Sequence, residues 1–191
     1  VLEVNFQDPN TDSSYQDPTK LLLQLLKFTS LKKLKLTLPD LDTDCLENAF
    51  TNTLSLTTLT TNVANVSKQK TNLSGLILLL DQSTLTELEI NYKLGTQPIY
   101  DIKFWNFLNG LKSFKNLKRV NLKVFLKITN LEETLRQIDL VVKALLRLEY
   151  FCLIITVSKD DDIEPIFYQF PKFVHQRSCF NLFSVAVKKN G

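Results

Sequence analysis

Two groups of side chains in this sequence are of the types used in catalysis and metal binding. His175, the single histidine, lies four residues before Cys179, and an imidazole beside a thiol can activate a cysteine nucleophile. Asp160–Asp162 and Glu164 bring carboxylates together, but without the glycine turn and alternation of a calcium loop. Neither group has further residues at catalytic or ligand spacing. We therefore expect no catalytic residue, metal or cofactor, and interpret the chain as non-enzymatic.

Basic side chains offer a second chemistry, since rows of lysine and arginine bind the phosphates of nucleic acids. Six lie close together in the sequence: Lys112, Lys115, Lys118, Arg119, Lys123 and Lys127. Strand alternation would place them on different faces, and acids flank them at Glu87, Glu89, Glu132 and Glu133. The net charge of +3 is also small. We expect a solvated surface, and keep an accessory RNA- or DNA-binding subunit as the alternative function.

A recurring apolar phrase predicts the elements that position these side chains. The pattern LxxLxLxL occurs at 31–38, 85–92 and 117–124, and weaker copies lie between and after these. The first positions of all copies are Leu31, Leu56, Leu85, Leu117, Leu148 and Phe180. They are separated by 25, 29, 32, 31 and 32 residues, and such near-constant spacing is typical of a repeat protein. The alternation within each copy predicts a strand.

Between the phrases, apolar residues are spaced as in amphipathic helices. The predicted helices cover 18–28, 42–53, 72–81, 100–111 and 130–146. Asn130, followed by Glu132 and Glu133, is a good N-terminal signal for the last of these. In the final spacer, 160–176, we expect irregular structure with a short helix: Pro165 fits its first turn, and Pro171 ends or kinks it.

Alternating helices and strands are also compatible with a doubly wound sheet. Such a sheet has no reason to repeat LxxLxLxL, and its ligand loops are typically rich in glycine. This chain has four glycines and neither GxGxxG nor GxxxxGK. The pattern therefore favours an α/β solenoid of about six repeats.

The phrases at 31–38 and 117–124 resemble those of the leucine-rich-repeat family, and are most similar to its intracellular, helix-containing subclass that includes ribonuclease inhibitor. The resemblance covers roughly residues 18–188. It implies a horseshoe with a parallel sheet on the concave side and helices on the convex side. The asparagine or cysteine that the family places after each strand is not consistently present, which implies irregular turns.

Residues between the core positions of each strand are expected to face the concave surface, which changes from charged to apolar along the chain. The candidate partner-binding residues are Lys33, Lys35, Glu87, Glu89, Arg119, Lys123, Tyr150, Ile154 and Leu182. An apolar area near Tyr150, Ile154 and Leu182 indicates burial by a partner or by another part of the same chain. The predicted function is a protein-binding or scaffolding module, a subunit of a larger assembly.

Composition favours an intracellular protein, and we expect it in the cytoplasm, with the nucleus as the alternative. Cys45, Cys152 and Cys179 are odd in number and widely spaced, which favours reduced thiols. The longest apolar run, 76–80, is too short to span a membrane. We assign 18–191 to the repeat domain and 1–17 to an N-terminal extension of irregular structure. Residues 2–9 are similar to a tag-cleavage sequence, with departures at Asn5 and Asp8, and we therefore assign no strand or helix to them.

Overall fold

One β-sheet dominates the computed structural model of the chain. The structure describes residues 1–5, 30–38, 55–63, 77, 80–92, 99–157, 166–168 and 182–189. The strands are β1 (Leu2–Asn5), β2 (Lys33–Leu38), β3 (Thr58–Val63), β4 (Glu87–Tyr92), β5 (Ile99–Tyr100), β6 (Arg119–Lys127), β7 (Tyr150–Val157), β8 (Ile166–Tyr168) and β9 (Leu182–Lys189). The helices described over their full length are α1 (Asp101–Leu111) and α2 (Leu131–Ala144).

The strands are stacked nearly in the order in which the chain makes them. Their order across the sheet is β1-β2-β3-β4-β6-β7-β9-β8, and β5 pairs with the far end of β6. All pairings are parallel except that of β8 with β9. Sequential parallel strands joined by return segments are what a solenoid requires. The α/β class and the repeated parallel sheet are thus confirmed.

Pairing between the strands has the offsets predicted from the sequence. Lys33 pairs with Thr58, Thr58 with Glu87, Glu87 with Arg119, Arg119 with Tyr150, and Tyr150 with Leu182. These pairs are 25, 29, 32, 31 and 32 residues apart, which are the separations of the six apolar phrases. Equivalent phrase positions are therefore neighbours in space.

A repeated hydrogen-bond pattern sets this register at the start of each strand. One carbonyl oxygen accepts two successive N–H groups from the next unit. The acceptors are the oxygens of Lys32, Thr57, Thr86 and Lys118, and the donor pairs are Thr57 and Thr58, Thr86 and Glu87, Lys118 and Arg119, and Glu149 and Tyr150, at 2.8–3.1 Å. The same two-to-one contact at four successive units fixes where each new strand begins.

Alternate strand residues form the core, as the phrase predicts. The fully buried rows include Leu34, Leu36, Leu59, Leu88, Ile90, Val120, Leu122, Phe151, Leu153 and Val185. Buried residues of both helices, such as Phe104, Phe107, Ile138 and Val142, belong to the same hydrophobic cluster. The helices therefore cover one face of the sheet, and hydrophobic burial holds the two layers together.

Both described helices agree with prediction to within two residues. Asn130 caps α2 by accepting a hydrogen bond at 2.9 Å from the backbone N–H of Glu133. Arg136 and Gln137 donate to the Glu133 carboxylate and lower its pKa to about 2. Trp105 Nε1 of α1 donates to Thr134 Oγ1 of α2 at 3.0 Å, which ties the two helices together.

Two expectations are wrong. Residues 166–168, placed in a short helix by the pattern around Pro165, form β8 instead, because Ile-Phe-Tyr has high strand propensity and pairs with β9. Residues 2–5, expected to be irregular, form β1 and extend the sheet beyond β2. The helices predicted at 18–28 and 42–53 lie outside the described residues, as does most of 72–81.

A charge at the centre of the core row should unfold the chain, whereas one on the next residue should not. Leu122 is fully buried and Lys123 is exposed. We expect Leu122→Asp to destabilise the protein by more than about 4 kcal/mol, because it buries an unpaired charge. Lys123→Asp should change stability by less than about 0.5 kcal/mol. Thermal unfolding followed by circular dichroism measures both, and equal stability of the two variants would contradict the register.

Thr61 occupies a core position that other units fill with an aliphatic residue. It is fully buried, and its hydroxyl has no hydrogen-bond partner among the residues that the structure describes. Replacement by isosteric valine removes the unsatisfied group without leaving a cavity. We expect Thr61→Val to raise the free energy of unfolding by about 1 kcal/mol in urea titrations. Thr60→Val, on the half-buried side of the same strand, is the control and should give no such gain.

Candidate functional site

The face of the sheet turned away from α1 and α2 carries the side chains that the sequence predicted as a binding surface. We call it the open face. It consists of the strand residues at phrase positions three, five and seven, which alternate with the core rows. Where their side chains are described, these residues are half-buried or exposed. Side chains at equivalent positions of parallel strands in register lie side by side. The open face is therefore built from transverse rows.

Three rows cross the open face. Row one contains Lys33, Thr58, Glu87, Arg119, Tyr150 and Leu182; row two contains Lys35, Thr60, Glu89, Asn121, Cys152 and Ser184; row three contains Thr37, Asn62, Asn91, Lys123, Ile154 and Ala186. All nine predicted binding residues lie in these rows. For Leu182 and Ser184 the assignment rests on strand pairing alone.

A depression of about 250 Å³ lies near the middle of rows one and two. Its polar lining is Thr58, Thr60, Glu87, Glu89, Arg119, Asn121 and Tyr150, and Leu59 and Leu88 also contribute to it. The structure thus brings together four of the predicted residues, Glu87, Glu89, Arg119 and Tyr150. Lys33 is separated from Glu87 by Thr58 of the intervening strand.

The carboxylate of Glu89 is held by amides from its own and a neighbouring strand. Asn91 Nδ2 donates to Glu89 Oε1 at 3.1 Å and to Asn62 Oδ1 at 3.1 Å. Asn121 Nδ2 donates to the same Glu89 oxygen at 3.4 Å. None of these asparagines is among the predicted binding residues, although strand alternation is sufficient to place them on the same face. Their side chains restrain the carboxylate, which is thereby presented in a defined orientation.

Arg119 and Tyr150 form a stacked pair beside this depression. The Arg119 guanidinium carbon lies 4.8 Å from the centroid of the Tyr150 ring, within the range of a cation–π interaction. Glu87, the neighbour of Arg119 in row one, accepts instead from Thr58 Oγ1 at 3.4 Å. No ion pair joins Arg119 to a carboxylate among the described residues. The guanidinium donors are therefore ordered by the ring and available to another molecule.

The six clustered basic residues of the sequence do not form one surface. Lys118 pairs with Glu149 at 3.1 Å, and Lys112 donates to Asn109 at 2.6 Å near the end of α1. Lys127 lies 5.8 Å from the ring centroid of Tyr100, at the far end of β6. Arg119 and Lys123 are the members that lie in the open-face rows, as strand alternation predicted.

The two ends of the open face differ in their electrostatics and polarity. At one end, Lys35 forms an ion pair with Glu3 of β1 at 2.7 Å, and both side chains are about half exposed. Glu3 is not among the predicted binding residues because no strand was predicted at 2–5. The alternation of Leu2 and Val4 is nevertheless typical of a strand. At the other end, Tyr150, Cys152 and Ile154 are half-buried and mostly apolar.

The open face offers hydrogen-bonding groups, charges and an aromatic ring for non-covalent recognition. Among the described residues, no three His, Cys, Asp or Glu side chains are grouped so as to hold a metal ion. His175, Cys179, Asp160–Asp162 and Glu164 lie outside the described residues. Within the described ranges, neither helix has the length and apolar character needed to cross a bilayer.

No protein-family model, curated protein or solved structure matches the chain. Function is therefore inferred from the open face and its chemistry.

Stacking of Arg119 on Tyr150 should be measurable as a coupling energy. In a double-mutant cycle of Arg119→Ala and Tyr150→Ala, we expect a coupling of about 0.5 kcal/mol or more in the free energy of unfolding. Urea titrations of the four proteins give this value. A cycle of Arg119→Ala with Tyr100→Ala is the control, since these residues are not in contact. Additive effects in the first cycle would show that the pair does not order Arg119.

Proposed function

We propose that the chain is a non-enzymatic repeat module that binds another protein through its open face, as a subunit of a larger assembly. The observation that carries this proposal is the Arg119–Tyr150 pair beside a polar depression. Tyrosine and arginine are enriched among the residues that dominate the energy of protein interfaces. An arginine already ordered by a ring loses less side-chain entropy when it binds.

The proposed class is a leucine-rich-repeat solenoid of the intracellular, helix-containing kind, with the open face as its concave side. Support comes from the LxxLxLxL phrase, from sequential parallel strands paired at the phrase spacing, and from α1 and α2 on the opposite face. A rigid sheet of this type presents many side chains at fixed separations, which favours a protein partner over a small molecule.

A nucleic-acid partner is the second candidate, and the charge arrangement supports it less. Glu87 and Glu89 lie between the basic pairs Lys33/Lys35 and Arg119/Lys123, so the basic side chains do not form a continuous stripe. Lys35 is also neutralised by Glu3. Phosphate binding would weaken steeply as salt is added. Absence of binding to RNA and DNA at low salt would eliminate this candidate.

Affinity purification with matched variants tests the proposed interface. Tagged full-length protein carrying Arg119→Glu or Tyr150→Ala should lose its specific partners, with at least about tenfold less recovered by quantitative mass spectrometry. Arg136→Glu on the exposed side of α2 and Tyr100→Ala at β5 are the controls and should recover them as wild type does. Thermal unfolding confirms that each variant is folded. Equal recovery with all four variants would contradict the proposal.

A further inference from the structure

Charges on the open face are sorted by strand. β2 is basic (Lys33 and Lys35), β3 is neutral (Thr58, Thr60 and Asn62), β4 is acidic (Glu87 and Glu89), β6 is basic (Arg119 and Lys123), and β7 is largely apolar (Tyr150, Cys152 and Ile154). Row one shows this order of side-chain types from β2 to β7: basic, neutral, acidic, basic and aromatic. A partner that crosses the strands along row one would meet these charges in order.

The charges of row one do not neutralise one another. Arg119 is stacked on Tyr150, and Glu87 accepts from Thr58, so these neighbours form no ion pair with each other. Lys33 is exposed and has no ion-pair partner within the part of the chain that the structure describes. Three charged groups of alternating sign are thus open to complementary groups from outside.

The spacing of row one fits one face of an α-helix. Adjacent strands lie about 4.8 Å apart, so β2 to β4 spans about 9.6 Å and each of the next two steps about 4.8 Å. A helix rises about 1.5 Å per residue, and residues at i, i+7, i+11 and i+14 form a single stripe. Their axial positions, about 0, 10.5, 16.5 and 21 Å, follow the strands closely enough for long charged side chains to adjust.

We infer that the occupant of the open face is a partner helix laid across the strands along row one, which rests on the proposed protein-binding function. The helix presents an acidic residue at i for Lys33, a basic residue at i+7 for Glu87 and an acidic residue at i+11 for Arg119. An apolar residue at i+14 packs against Tyr150. The unequal spacing of the charges and the apolar residue at i+14 fix the direction of the helix as well as its register. When the reversed helix keeps its base opposite Glu87, it places no acid opposite Arg119 and no apolar residue opposite Tyr150.

Two synthetic helical peptides test this inference. The first carries aspartate, arginine, glutamate and leucine at i, i+7, i+11 and i+14 on an alanine–glutamine background, and the second has the three charges reversed. Fluorescence anisotropy at low ionic strength should show the first binding about tenfold more tightly, because three attractive pairs become repulsive in the second. Absence of binding, or equal affinity for both peptides, would overturn the inference.

A charge exchange on the protein locates the binding site. Glu87→Lys combined with Arg119→Glu should reverse or abolish the preference for the first peptide. Glu132→Lys combined with Arg136→Glu makes the same exchange on α2 and should preserve the preference. An unchanged preference in the first double variant would overturn the assignment to row one. If that occurs while Arg119→Glu still releases the natural partners, the protein-binding function stands and only the helical occupant fails.

Discussion

The register between successive strands is the constraint on which the structure depends. β3, β4, β6 and β7 each begin where one carbonyl of the preceding unit accepts two N–H groups of the next, at Lys32, Thr57, Thr86 and Lys118. Because side chains alternate between faces, a slip of one residue would turn a core row outward and an open-face row inward. The same four contacts therefore secure both the hydrophobic layer beneath the helices and the side-by-side rows of the open face. The strand register therefore determines both the core and the candidate site.

Much of this register could be predicted because it is encoded locally. The leucines and valines of each phrase specify which face is buried, and the spacing of the phrases specifies which residues become neighbours. The helix that ends at Leu111 and the helix that Asn130 caps carry ordinary amphipathic and capping signals. β1 and β8 were predicted wrongly because short segments have little pattern: four residues at 2–5 and three at 166–168 are strands because a neighbouring edge supplies their hydrogen bonds.

The candidate site was predicted in composition but not in its contacts. Alternation was sufficient to place Glu87, Arg119 and Tyr150 in one row. It could not show that Arg119 stacks on Tyr150 rather than pairing with Glu87, because both partners are equally near along the sheet. That choice depends on side-chain rotamers and on competing donors such as Thr58. It also determines whether the row carries separate charges or internally neutralised pairs, and hence what the open face can recognise.

The buried hydroxyl of Thr61 has a consequence for how the array comes apart. In a linear repeat protein each unit is stabilised mainly by its two neighbours, so cooperativity is limited by the weakest interface. The sequence spacing from β2 to β3 is the shortest between successive units. β3 also contains the one polar residue of the described strand core rows. Local unfolding at β3 would separate the basic strand β2 from the acidic strand β4. The units from β4 onward would then form a separate folded block. Binding along row one would bridge this break, so a ligand would increase the cooperativity of unfolding as well as the stability.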